Sequence, residues 1–97
     1  MRVIFHVHVA HDVRRALKHY DNVGGKELGD AFHEELMVRV HQAIENPKRF
    51  HFFKGDIRRA NLNRFPWHML YRETFFGIRV LVVKHNRQNP HFGMRRK

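Results

Sequence analysis

The sequence contains no cysteine, which excludes disulfide bonds, thiolate metal sites and a cysteine nucleophile. It also lacks any run of about 18 apolar residues, so no segment is expected to span a membrane. The N-terminal stretch MRVIFHVHVAHD has neither the apolar core nor the cleavage site of a signal peptide. With 97 residues, of which 42% are hydrophobic, the chain fits one globular domain over residues 1–97. We expect a cytoplasmic protein.

Acidic residues are scarce, with nine Asp and Glu against 19 Lys and Arg, and the net charge is +10. The excess is confined to one half of the chain. Residues 1–46 hold six basic and seven acidic residues, whereas residues 47–97 hold 13 basic and two acidic residues. This asymmetry predicts a polyanionic partner, either nucleic acid or an acidic protein segment.

Residue patterns predict two helices and four strands. The stretch RVIFHVHV at 2–9 alternates as a strand does, and apolar residues then recur at helical spacing from Ala10 to about Asn22 and from about Lys26 to Glu45. Gly24-Gly25 is the predicted turn between the helices, and a loop at 48–55 precedes strands at about 56–62, 66–73 and 77–85. The order β-α-α-β-β-β predicts an α+β fold. In it, a helical hairpin packs on one face of a small, mostly antiparallel sheet and leaves the other face largely open.

Alternation along the strands predicts which side chains reach the open face. Trp67, Met69 and Tyr71 form an apolar side, which places His68 on the opposite one. The predicted central residues are Arg59, Asn61, His68 and His85, with His85 assigned to this face because it shares the parity of Arg79. The predicted rim is Arg58, Arg64, Arg87 and Arg95, and these arginines together with Asn61 would bind nucleic acid or another target.

The ten histidines do not predict a metal site. His6, His8 and His11 are close in sequence, but no cysteine or carboxylate is placed to complete a ligand set. The stretch HEELM at 33–37 lacks the second histidine of H-E-x-x-H, and GGKELG at 24–29 lacks the Lys-Ser/Thr of a phosphate-binding loop. We expect neither a metal nor a cofactor.

Three stretches, in this order and spacing, resemble the RelE/ParE superfamily of toxins. They are ENPKRF at 45–50, IRRANLNRFPWHMLY at 57–71 and VLVVKHNRQNPHFGMR at 80–95, the last with an H-x-R-x-x-P pattern at His85, Arg87 and Pro90. The resemblance covers nearly the whole chain and implies a RelE/ParE-like fold. It also implies the toxin of a type II toxin–antitoxin system, a class associated with plasmid stabilization. The implied partners are a cognate antitoxin and, through the toxin–antitoxin complex, promoter DNA.

The superfamily has two kinds of target. RelE-like members are metal-independent endoribonucleases (mRNA interferases) that cleave mRNA at the ribosome, whereas ParE-like members inhibit DNA gyrase. The resemblance places His85 at the position of a catalytic acid and Arg59 at that of a basic catalytic residue. His68 and Asn61 stand where nuclease members carry arginine and lysine.

We expect growth inhibition by mRNA cleavage, with Arg59, His68 and His85 as catalytic residues, because RNA cleavage needs proton transfer and cationic stabilisation of phosphate. Inhibition of gyrase is the alternative. A second alternative is an RNA-binding module without activity, in which aromatic side chains would stack on bases. Those side chains would be Trp67, Phe75, Phe76 and Phe92.

Overall fold

The computed structural model describes residues 2–97, which form one helical element and a five-stranded sheet. The elements are β1 Arg2–Phe5, α1 Val9–Glu45, β2 Phe52–Lys54, β3 Ile57–Asn61, β4 Trp67–Thr74 and β5 Gly77–His85. The strand order is β1-β5-β4-β3-β2, and only the β1–β5 pair is parallel. The predicted α+β class is confirmed, although β2 occupies part of the predicted loop. Within residues 2–97 no helix has the length and apolar character that crossing a membrane requires.

The first strand is shorter than predicted. It ends at Phe5 rather than at residue 9, and Val9 is buried as the first residue of α1. Between them the chain turns, with the backbone N–H of His8 donating to Nδ1 of His6 at 3.1 Å. The alternating pattern predicted too long a strand because Val7 continues the pattern but lies in a turn, with 79% of its surface exposed.

The helical element α1 is interrupted at Gly25, where φ is 76° and ψ is −179°. Only glycine adopts these angles without strain. The element folds back on itself here, because the rings of Tyr20 and Phe32 stack with centroids 5.4 Å apart. Twelve residues of straight helix would separate them by about 18 Å. The predicted break is therefore found at Gly25, but the predicted end of a first helix at about Asn22 is wrong.

The main core lies between the two arms of α1, residues 9–24 and 26–45, and one face of the sheet. Trp67, Met69 and Tyr71 of β4 point into it, as their alternation predicted. Edge-to-face contacts of Phe32 with Trp67 and with Phe65 fix the packing, with ring centroids 5.5 and 5.4 Å apart. The helical members of this core are Val9, Ala16, Tyr20, Phe32, Leu36, Val40 and Ala43.

The opposite face of the sheet is covered, so the prediction that it stays largely open is wrong. Ile57, Leu70, Leu81 and Val82 form a second, smaller core under residues 90–97, which supply Phe92 and Met94. We call residues 90–97 the tail. Burying these apolar side chains is favourable, and the tail reaches them because it folds back over the sheet.

Buried polar contacts hold the tail in place. The ammonium group of Lys84 donates to the carbonyl oxygens of Pro90 and Phe92, both at 3.0 Å. Gly93 has a φ of 76° and lies so close to Val82 that a Cβ at this position would be 2.7 Å from a Val82 methyl carbon. The tail therefore has a defined path over the sheet.

A β-bulge at Leu81 reverses the alternation of β5. Leu70 pairs with Val82 and Tyr71 with Val80, which leaves Leu81 without a partner. Val80 and Val83 consequently both face the main core. His85 follows Val83 in parity and packs edge-on against Trp67, with centroids 5.6 Å apart. The predicted placement of His85 on the face of Arg79 is therefore wrong.

A buried ion pair joins α1 to the tail. Asp12, 2% exposed, accepts hydrogen bonds from Nη1 of Arg96 at 2.6 Å and from Nη2 at 3.1 Å. The same carboxylate accepts the N–H of Val83, and Arg96 also donates to the carbonyl of Leu81, both at 3.1 Å. Strand β1 pairs with β5 only as far as Val80. Beyond this point Asp12 and Arg96 take the place of a neighbouring strand as hydrogen-bond partners of the Val83 N–H and the Leu81 carbonyl.

We predict that Arg96→Ala lowers the free energy of unfolding by about 3–5 kcal/mol, because it leaves the Asp12 carboxylate buried without a counter-charge. Urea unfolding followed by circular dichroism measures the change. The matched control is Arg95→Ala, which removes the same charge from the exposed neighbouring residue. Equal unfolding free energies for the two variants would contradict the assigned role of the ion pair.

Candidate functional site

Strand pairing brings three of the four predicted central residues together. Asn61 lies opposite His68, and Arg59 opposite Leu70, so all point to the tail side of the sheet. Arg59 donates through Nε to Oδ1 of Asn61 at 2.8 Å and through Nη2 to Oδ1 of Asn86 at 3.4 Å. Nδ1 of His68 lies 2.7 Å from the same Asn86 oxygen. We call these four residues the Arg59 cluster, and Asn86 is the member that the sequence did not predict.

The hydrogen bonds of the Arg59 cluster fix the tautomer of His68. Arginine can only donate, so the Asn86 atom that it contacts is the amide oxygen. Since this oxygen also faces Nδ1 of His68, Nδ1 carries the proton and Nε2 carries the lone pair. Nε2 is buried and has no hydrogen-bond partner among residues 2–97. His68 is therefore held as a neutral ring.

Burial lowers the pKa of His68 from 6.5 to about 4. This value includes the opposing hydrogen bond to Asn86, which raises the pKa, and the positive charges of Arg59 and Lys84, which lower it. Only 2% of the residue is exposed. Acid–base catalysis requires contact with the substrate, so in this conformation His68 is not positioned to transfer its proton.

His85, the fourth predicted central residue, lies on the main-core side at the end of β5. It is half-buried, and its Nδ1 accepts the backbone N–H of Arg87 at 3.0 Å. When the ring is neutral, the proton is therefore on Nε2. His85 has an accessible proton but no hydrogen bond to the Arg59 cluster.

The four predicted rim arginines lie in different surroundings. The guanidinium of Arg58 donates to the Phe50 carbonyl at 2.8 Å and lies 3.8 Å from the ring centroid of Phe52, so it holds the segment before β2. Arg64 lies over Phe65, 5.4 Å from the ring centroid. Arg87 is exposed in the turn after β5. Arg95 lines a separate cavity with His6, His8 and His91.

A basic pocket of about 470 Å³ adjoins the Arg59 cluster. It is lined by Arg39, Gln42, Arg49, Phe50, His51, Arg59, Asn61 and Asn63. Arg39 is paired with Glu35 at 3.0 Å, whereas no salt bridge in the described chain involves Arg49 or Arg59. Sequence reasoning missed Arg49 and His51 because it treated 48–55 as a plain loop, although KRFH at 48–51 is a basic signal.

An apolar groove of about 560 Å³ lies between the end of β1 and the arms of α1. Its lining includes Phe5, Val7, Val13, Leu17, Met37 and Val40. Phe5 and Val7 are 42% and 79% exposed, and Arg14 and His33 contribute polar groups to the lining. The groove thus presents apolar surface to a partner beside basic side chains.

In the part of the chain that the structure describes, no group of three or more His, Cys, Asp or Glu side chains is arranged to hold a metal ion. His6 and His8 are adjacent, with ring centroids 5.2 Å apart, but Nδ1 of His6 already accepts the His8 N–H.

Comparison with known proteins gives a structural match. No family profile and no curated protein sequence matches the chain. Among solved structures, a chain from "Chromosomal ParDE TA system from P. aeruginosa" superposes with a TM-score of 0.76. The match covers 88% of this chain and 95% of that chain, at 18% sequence identity. The fold is ParE-like. This agrees with the RelE/ParE resemblance of the sequence. The sheet that carries the Arg59 cluster is part of this fold.

We predict that His68 titrates with a pKa of about 4 and has its proton on Nδ1 when neutral. Because this pKa is lower than the unfolded value of 6.5, the unfolded chain binds more protons between these two values. Stability is therefore lost as the pH falls from about 6.5 to about 4. NMR of the imidazole nitrogens and unfolding at several pH values test this. His68→Gln removes the contribution, and an unchanged pH dependence in this variant would contradict the assignment.

Proposed function

We propose that this chain is the toxin of a type II toxin–antitoxin system. The observation that carries the proposal is the match over 88% of the chain to a chain of a ParDE system. Two of the three stretches that resemble the RelE/ParE superfamily, 57–71 and 80–95, contain the residues of the Arg59 cluster. A net charge of +10 suits an acidic partner or a nucleic-acid target. We further propose that the protein acts in the cytoplasm, and that its complex with the antitoxin binds promoter DNA.

The antitoxin is proposed to bind in the apolar groove with an amphipathic helix. Such a helix buries its apolar face against side chains like Val7 and Leu17, and helix-in-groove recognition of this kind is common. Acidic residues on the same helix would face Arg14. The groove is on the main-core side, so the antitoxin need not displace the tail.

For the target, the geometry favours inhibition by binding, as in ParE-type inhibitors of DNA gyrase. The Arg59 cluster lacks an accessible group for proton transfer: arginine stays protonated, the asparagines do not titrate, and His68 is buried with a lowered pKa. Without a base and an acid at one phosphate, cleavage of RNA is slow. A cationic surface without these groups still binds a target.

Cleavage of mRNA at the ribosome is the second candidate, and the accessible proton of His85 favours it. His85 stands at the end of β5 and is only half-buried, and it would act as general acid for a leaving 5′ oxygen in its doubly protonated form, once Nδ1 has released the Arg87 N–H. In this case Arg59 would stabilise the phosphate charge.

We predict that the purified protein inhibits gyrase supercoiling and traps gyrase–DNA complexes, whereas transcripts on translating ribosomes stay intact. His68→Gln should retain inhibition, because the glutamine amide can donate to Asn86 in place of Nδ1 and inhibition by binding needs no proton transfer. Codon-dependent cuts in the transcripts, reduced about a hundredfold or more by His85→Ala, would instead establish the nuclease. If the protein neither arrests growth on expression nor affects either target, the toxin proposal is wrong.

We predict that Val7→Asp weakens neutralisation by the antitoxin encoded beside this chain, because it places a charge in the apolar groove. Growth is measured with toxin and antitoxin expressed together. Val7 is 79% exposed, so the substitution should leave the fold intact. The matched control is Val23→Asp, which alters a residue 68% exposed near the bend of α1 and outside the groove. Equal neutralisation of the two variants would exclude the groove as the antitoxin site.

A further inference from the structure

We propose that a cavity between the tail and the turn after β1 binds a small phosphate monoester through its terminal phosphate group. The cavity has a volume of about 430 Å³. It is lined by His6, His8, His91, Gly93, Arg95 and Arg96, and we call it the histidine cavity. It shares no residue with the Arg59 cluster or the basic pocket, and the inference does not depend on the proposed toxin function.

The lining of the histidine cavity is cationic. Apart from one glycine, every residue that lines it carries an imidazole or a guanidinium. The nearby carboxylate of Asp12 is 2% exposed and already pairs with Arg96, so its charge is matched by that arginine. No salt bridge within residues 2–97 involves Arg95 or His91. The cavity therefore keeps a positive potential that attracts an anion.

His6 supplies a neutral N–H donor to the cavity. Burial lowers the pKa of its ring, and the neighbouring Arg96, His8 and Arg79 lower this pKa as well. The Asp12 carboxylate opposes the shift. Nδ1 of His6 accepts the backbone N–H of His8 at 3.1 Å, so the proton of the neutral ring is on Nε2. That N–H is available to an anion in the cavity.

The ligand is an anion rather than a metal ion, although three imidazoles line the cavity. In residues 2–97 no three His, Cys, Asp or Glu side chains are arranged to hold a metal. The Nδ1 lone pair of His6 is already used by a backbone N–H. The guanidinium groups of Arg95 and Arg96 would also repel a cation, because arginine stays protonated.

The supply of hydrogen-bond donors suits a terminal phosphate. Arg96 uses three of its five N–H donors on Asp12 and the Leu81 carbonyl, which leaves two and fixes the plane of the guanidinium. Arg95 adds a second guanidinium. A terminal phosphate has three strong acceptor oxygens and a charge of about −1.5 to −2 at pH 7. A phosphodiester in a nucleic-acid backbone offers fewer oxygens and a single charge, so it satisfies fewer of these donors.

The size of the histidine cavity indicates more than a phosphate ion. Its volume of about 430 Å³ lies in the range of small-molecule sites, about 300–1,000 Å³. There is therefore room for the group to which the phosphate is attached. Because no apolar side chain lines the cavity, we expect this group to be polar, as a ribose is.

A bound phosphate would join two distant parts of the chain. His6 and His8 belong to the turn between β1 and α1, whereas His91, Arg95 and Arg96 belong to the tail. A ligand that contacts both parts binds the folded chain and not the unfolded one. Binding should therefore raise the unfolding midpoint, in proportion to the occupancy of the site.

The test is isothermal titration calorimetry of the purified chain with AMP and with cyclic AMP at pH 7.5. The two ligands share base and ribose, but AMP carries a terminal phosphate and cyclic AMP a phosphodiester. We expect AMP to bind about tenfold or more tightly than cyclic AMP, and inorganic phosphate to compete with AMP. No antitoxin is present, because His6 also lines the apolar groove.

Variants locate the site. Arg95→Ala and His91→Ala should each weaken AMP binding, the first about tenfold. The matched control is Arg87→Ala, which removes an exposed arginine outside the lining and should leave affinity nearly unchanged. AMP should raise the unfolding midpoint of the Arg87→Ala chain more than that of the Arg95→Ala chain. Midpoints without ligand check that each variant is folded.

Four results would overturn the inference. They are no AMP binding at millimolar concentration, equal affinities for AMP and cyclic AMP, equal affinities of Arg95→Ala and Arg87→Ala for AMP, and loss of AMP binding in Arg49→Ala, whose residue lies in the basic pocket. None of them affects the proposed toxin function, which is measured by growth and by the gyrase and ribosome assays.

Discussion

The ion pair between Asp12 and Arg96 is the interaction on which the arrangement of the chain depends. Its partners are 84 positions apart, and it joins the first arm of α1, the bulged part of β5 and the tail. A buried charge pair is not a large source of stability by itself, because desolvation offsets most of the attraction. Its importance lies in specificity: each charge is tolerated inside the protein only when the other is in place.

The tail lies on the same side of the sheet as the Arg59 cluster. Lys84 holds the tail through two carbonyl groups, and burial lowers the pKa of its ammonium group, with Arg59 and Arg96 lowering it further. On the same side of the sheet, His68 is enclosed and kept neutral, and through Asn86 it orients Arg59. A histidine that looks catalytic in the sequence thus becomes a support for a surface arginine.

The sequence predicted the features that depend on local periodicity. The apolar stripe of α1, the break at the glycine pair and the inward direction of Trp67, Met69 and Tyr71 all follow from spacing that packing does not override. The placement of Arg59, Asn61 and His68 on one face of the sheet followed from the same alternation. Those predictions needed only the rule that side-chain directions alternate along a strand and repeat about every 3.6 residues along a helix.

The predictions that failed depend on long-range contacts or on departures from that rule. The bulge at Leu81 lies in the run IRVLVV, where every residue near it is apolar, so no change of pattern marks it, and His85 was assigned to the wrong face. The tail contains several basic residues and resembles a solvated segment, yet Phe92 and Met94 cover the second core. The strand β2 was missed because its three residues are all exposed.

The ion pair also bears on how the protein is made. The guanidinium that permits the burial of Asp12 is added 84 residues later in translation. The first arm of α1 therefore docks without an uncompensated buried charge only once residue 96 is present.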